Sequence, residues 1–174
     1  MKYNISSRII HWLMAIIILS LLAVGIYMTN FLPKESVNRG IIYGLHKSFG
    51  VIVILLIITR IINRLIFKAP ALPETIRNPE RILAKIGHLA LYLLMIIVPF
   101  SGYFMSNLYG HPVQLFGLTL PLLAETNYEI GAIFSEIHEI SAYSLLALVS
   151  IHILAVIKHR FFDLKENNVL PRML

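Results

Sequence analysis

The chain has 174 residues, 57% of them hydrophobic and only 14% charged, with a mean hydropathy of +0.77. Soluble domains carry roughly a quarter charged residues, and here the apolar residues come in long runs, which points to lipid rather than to a large water-soluble core. Cysteine is absent, which excludes disulfides and iron–sulfur clusters. The net charge of +6 does not indicate nucleic acid, because the basic residues collect at the ends of the apolar runs and form no patch with stacking aromatics.

Four apolar segments follow in order: Ile9–Thr29, Ile41–Ile62, Ile86–Met105 and Ile130–Ile157. Each reaches the ~20 residues that a helix needs to cross ~30 Å of hydrocarbon. Lipid offers no partner for free backbone groups, so each segment is predicted to be helical. The first run lacks a small-residue cleavage site and is expected to stay in the membrane. Pro99 and Gly102 in the third run are expected to kink it and make room for a neighbour. The connection from Ser106 to Glu129 contains an apolar stretch, Phe116–Leu123, too short to span, which is expected to lie along the interface. KAPALPE (Lys68–Glu74) reads as a stiff loop between the second and third spans, not as a domain linker. The expectation is one all-α domain over residues 1–174, an integral membrane four-helix bundle.

Basic residues set the orientation. Lys2, Arg8, Arg60, Arg64, Lys68, Arg77, Arg81, Lys85, Lys158, Arg160, Lys165 and Arg172 fall on one side, and only Lys34, Arg39 and Lys47 on the other. That is 12 of the 15 Lys and Arg against 3. Both termini and the middle loop are therefore expected to be cytoplasmic.

The seven histidines carry the functional reading. His138 and His46 share the outer half of the membrane, while His152 shares the inner half with His11 and His88. From His138 to His152 is fourteen residues, about 21 Å of helix at ~1.5 Å per residue. Fourteen steps of ~100° fall only ~40° short of four full turns, so both imidazoles leave one face of helix 4. Each meets a histidine at matching depth on another helix. Two such sites stacked across the bilayer suit two haems, and bis-imidazole ligation suits a haem that cycles electrons because it leaves no open iron position. Without a C-x-x-C-H motif the haems are not of the c type.

Single histidines at helix ends are often interfacial residues with a satisfied hydrogen bond, and His111 in its polar loop reads that way. Ionisable groups inside a span are nonetheless functional by default, and four at paired depths are hard to dismiss. Zinc fits poorly, since Ala142 stands where an H-E-x-x-H motif beginning at His138 needs its second histidine. A proton relay is the remaining use of such histidines, but the fourteen-residue spacing is too long for direct hand-over. His159, seven residues beyond His152, lies on nearly the same face near the inner boundary, with His88 at a similar level. Such a place suits a quinone headgroup; a basic collar with Lys158 and Arg160 is the plainer alternative.

At these residues the chain resembles the bacterial cytochrome b561 family. The matching stretches are RIIHW (Arg8–Trp12), GLHKSFG (Gly44–Gly50), GHLALYLLMIIVPFSGY (Gly87–Tyr103), FGLTLP (Phe116–Pro121), and HE (His138–Glu139) followed by His152. The similarity covers nearly the whole chain. It does not extend to the six-helix ascorbate-linked cytochromes of eukaryotic vesicles. The resemblance implies two haems b in a four-helix bundle of the bacterial inner membrane, one on His11 and His152, the other on His46 and His138. It also implies a quinone contact at His159.

Some members of that family oxidise superoxide and reduce ubiquinone, and others are haem subunits of dehydrogenases. With short loops and no soluble domain, the chain resembles the free-standing members more. The expected function is therefore electron transfer through two haems b, from superoxide to ubiquinone or menaquinone. The first rival is a haem b subunit between a periplasmic donor and the quinone pool; the second is a haem-free proton or ion carrier. Lys34, Arg39 and Lys47 are the basic residues available to attract superoxide outside, whereas Glu125, Glu129, Glu136 and Glu139 oppose them.

Overall fold

A computed structural model describes residues 2–174. Four long helices dominate it: α1 (Ile5–Asn30), α2 (Arg39–Ile66), α3 (Asn78–Leu108) and α4 (Tyr128–Phe161). All four are long and apolar enough to cross a membrane. Each runs past the apolar window read from the sequence, α3 by eight residues at its start. The reason is local: apolar content marks only the part that lies in hydrocarbon, whereas caps mark the ends. Asn4 accepts from the Ser6 N–H at 3.0 Å and Asn127 from the Ile130 N–H at 3.1 Å, satisfying first-turn donors. Pro79 sits in the first turn of α3, where its missing N–H costs nothing. Further along, α3 continues through Pro99 as one helix.

The helices pack in chain order, α1 on α2, α2 on α3 and α3 on α4. Met14, Ile18, Val53, Ile57 and Leu145 form the buried apolar core. Leu145 lies seven residues from both His138 and His152, so this core is a low-dielectric layer between the two histidine levels. Most other large apolar side chains face outward, as expected where the solvent is lipid.

The end that carries both termini is closed by the C-terminal segment, which contains two short 3-10 turns, Lys165–Asn167 and Leu170–Arg172. The Trp12 Nε1–H donates to the Met173 carbonyl at 2.8 Å, and Arg172 Nη2 donates to the Pro70 and Ala71 carbonyls. These bonds tie the tail to α1 and to the α2–α3 loop.

At the opposite end lies the apolar stretch after α3, expected along the interface. It includes a small hairpin, β1 (Gln114–Leu115) with antiparallel β2 (Leu118–Thr119), turned by Phe116 and Gly117, both at positive φ (49° and 96°). A two-residue turn of this kind matches strand twist only with φ > 0 at both positions, which glycine adopts freely and phenylalanine does not. Ser48 of α2 holds the hairpin, donating to the Gln114 carbonyl and accepting from the Phe116 N–H. Phe116 meets Phe49 edge-to-face at 5.5 Å between ring centres.

Candidate functional site

Helix packing brings the histidines together in two groups. At the level away from the termini, His46 of α2 and His138 of α4 have ring centres 6.4 Å apart and planes at 85°. At the termini level, His11 of α1 and His152 of α4 are also 6.4 Å apart, with planes at 67°. His88 of α3 lies closer to His152, at 5.6 Å. His111 is exposed in the loop and joins neither group.

These separations test whether an iron fits. Two metal–imidazole bonds of about 2 Å, plus about 1.1 Å from each nitrogen to its ring centre, require about 6.2 Å between ring centres. Both cross-helix pairs at 6.4 Å meet that requirement, and His88–His152 is too close for a linear bridge. The four residues are only half-buried by protein, leaving their rings open to a flat group slid between helices.

Second contacts orient the rings at the level away from the termini. His138 Nδ1 lies 2.8 Å from the Val98 carbonyl, so its Nδ1–H donates there and Nε2 is left free to bind a metal. A Cβ on Gly102 would stand 2.9 Å from His138 Cε1, so only glycine lets α3 approach this ring so closely. His46 Nδ1 is buried with no hydrogen-bond partner. Beside His46 a cavity of about 460 Å³ opens between α1 and α2, lined by Ile17, Leu21, Val24, Leu45 and Phe49 among others. An apolar cleft with a single imidazole suits the hydrocarbon edge of a macrocycle. The donor set and both spacings fit haem.

The inner pair has a different neighbour. Arg60 of α2 reaches His11 Nδ1 at 3.1 Å and donates through Nε to the Tyr92 hydroxyl at 3.2 Å. The guanidinium also lies over the Tyr92 ring, 5.7 Å from its centre. The sequence placed Arg60 only among the orienting charges. Its contact with a histidine depends on how α1 and α2 pack, which no periodicity reveals.

His159, near the end of α4, does not stand alone. Its Nδ1 lies 2.7 Å from Asp163 Oδ2, and Asp163 Oδ1 accepts from the Leu164 N–H at 2.7 Å and from Asn167 Nδ2 at 2.9 Å. Asn167, the Leu164 N–H and His159 hold the Asp163 carboxyl well below the ordinary carboxylate range, at about 2. Glu80 of α3 is adjacent and paired with Lys158 and Arg77. Asp163 was missed in the sequence because it follows the apolar run, although its spacing of four from His159 is one helical turn.

The three outer basic residues differ in availability. Lys34 is exposed, Arg39 is engaged with the Tyr43 hydroxyl at 3.1 Å and stacks over that ring, and Lys47 is half-buried. Glu125, Glu129, Glu136 and Glu139 are all exposed at that end.

Comparison with known proteins agrees with this architecture. Residues 2–174 match the family described as prokaryotic cytochrome b561. The chain is 30% identical to cytochrome b561 homolog 2 of Escherichia coli (strain K12), over 99% of this chain and 91% of that protein. It is 26% identical to a Yersinia pestis protein named probable superoxide oxidase CybB, over 99% of this chain and 96% of that one. The chain belongs to the prokaryotic cytochrome b561 family, membrane proteins of electron transport for which b-type haem is expected.

Proposed function

We propose that the protein is a superoxide:quinone oxidoreductase holding two haems b, one between His46 and His138 and one between His11 and His152. Two superoxide anions give up one electron each and leave as dioxygen. The two electrons, with two protons taken at the termini side, convert one quinone to quinol. The haems supply the one-electron carriers. The chain's own residues hold them at two depths of one helix face, exclude water from the layer between them, and place His159 where a quinone headgroup would meet the inner level. In this reading the membrane is the bacterial inner membrane, the termini face the cytoplasm, and the quinone is ubiquinone or menaquinone.

One observation carries the reading: two cross-helix histidine pairs with the same 6.4 Å separation, fourteen residues apart on α4. The name of the Yersinia relative supports superoxide as the donor. Stopped-flow absorbance tests it. Superoxide should reduce the haems within the mixing experiment, and added quinone should reoxidise them. Haems that ignore superoxide would remove that substrate.

A second reading draws on the outer surface. Four exposed glutamates there oppose an anion and suit a basic donor protein instead. In that case the chain is a haem subunit between a periplasmic dehydrogenase and the quinone pool, and it should copurify with that partner.

A further inference from the structure

We propose that Asp163 positions His159 as the proton donor to the quinone, so that the two residues act as a dyad at the termini-side boundary. The inference rests on the quinone reading above and adds to it the residue that governs the proton.

The carboxylate is fixed from three directions. Oδ2 meets His159 Nδ1 at 2.7 Å, and Oδ1 takes the Leu164 N–H and the Asn167 amide. Asn167 is itself 2% exposed and receives the Thr75 hydroxyl from the α2–α3 loop. Asp163 therefore does not swing away from the imidazole. A carboxylate can only accept, so Nδ1 must carry a hydrogen and Nε2 becomes the atom presented elsewhere. When both nitrogens carry hydrogen, the one on Nε2 is the one free to leave, because Nδ1–H is held by the carboxylate.

The surroundings allow the proton to be replaced. A polar cavity of about 240 Å³ adjoins the dyad, lined by Thr75, Arg77, Glu80, Lys158, Asp163 and Asn167 among others. Glu80 faces the pair from α3, with its charge engaged by Lys158 at 2.5 Å and Arg77 at 3.0 Å. Arg77, Glu80, Lys158 and Asp163 are thus the charged groups around His159. For each quinone oxygen that becomes an O–H, His159 Nε2 would give one proton, and the haem that His11 and His152 would hold would supply the electron. The polar cavity, which Asp163 lines, is the route by which a proton would return to the dyad.

The test uses the haem-loaded protein, reduced and then mixed with decylubiquinone across a concentration series. Reoxidation, followed at the reduced haem band, separates the limiting rate from the half-saturating concentration. Asp163→Asn should lower the limiting rate about tenfold or more, less than the ~10²–10⁴-fold of a lost general acid because His159 itself remains, with the half-saturating concentration and haem spectrum little changed. Asparagine can turn its NH2 toward Nδ1 and impose the wrong tautomer. Asp163→Glu should recover much of the rate. Arg172→Gln, which removes the tail's bonds to the Pro70 and Ala71 carbonyls but leaves the dyad and its cavity, should behave as wild type. An unchanged rate in Asp163→Asn overturns the dyad, and so does an equal loss in Arg172→Gln. Failure of the quinone reading looks different: wild-type haems would not be reoxidised by decylubiquinone at all.

Discussion

The Nδ1–H of His138 donates to the Val98 carbonyl on α3, 2.8 Å away, one turn before Gly102, which presents no side chain to the same ring. Helix 3 thus fixes the orientation of an imidazole on helix 4. Gly102→Ala puts a Cβ 2.9 Å from His138 Cε1, inside any normal contact distance, and backbone on one side and ring on the other cannot both hold. The expected result is loss of the outer haem, roughly half of the total by pyridine haemochrome assay, with the inner one kept. Gly25→Ala is the comparison: its Cβ would meet His46 at an ordinary 3.6 Å and should keep both.

The proposed partner of His152 is His11 rather than His88, on ring separations of 6.4 and 5.6 Å. His11→Ala should abolish the low-spin inner haem, while His88→Ala leaves its spectrum largely intact. Spectra of the two variants decide; the opposite pattern would move the ligand to α3.

Much of this was legible in the sequence. The four spans, the common face of His138 and His152, and the depth classes of His11, His46 and His88 follow from apolar length and helical period alone. What periodicity cannot supply is rotation of one helix against another. Arg60 on His11, Val98 on His138 and the closer approach of His88 to His152 all depend on that rotation. The Phe116–Gly117 hairpin escaped because its strands have two residues each, too few to show alternation. The tail escaped because its order comes from long-range bonds such as Trp12 to Met173.

Asp163 links pH to the tail. Its carboxyl sits at about 2 in the folded protein against an ordinary 3.8. A depressed value means that the stabilisation is complete above the ordinary value and is lost only as pH falls through the folded one. Amide exchange at Leu164, whose N–H donates to Asp163, should therefore be flat in opening equilibrium from pH 9 to about 5 and rise only below about 4. A transition near neutrality would show that another group holds the tail.

Steering of superoxide by Lys34, Arg39 and Lys47 should be weak. Arg39 is committed to Tyr43, Lys47 is half-buried, and four exposed glutamates share that end. A positive mouth raises an anion's encounter rate and loses that gain with salt. The second-order rate of haem reduction by superoxide should fall no more than a few-fold between low and physiological salt. Replacing all three residues by alanine should flatten the salt dependence. A wild-type rate already flat and equal to the variant's would rule out steering.

A haem count on purified protein decides whether the two histidine pairs each hold one haem b. Pyridine haemochrome should give two haems b per wild-type chain and about one in both His138→Ala and His152→Ala, because the sites lie about 21 Å apart along α4. Wild-type protein without a b-type reduced-minus-oxidised spectrum, or two bis-histidine haems retained in either variant, would contradict the account.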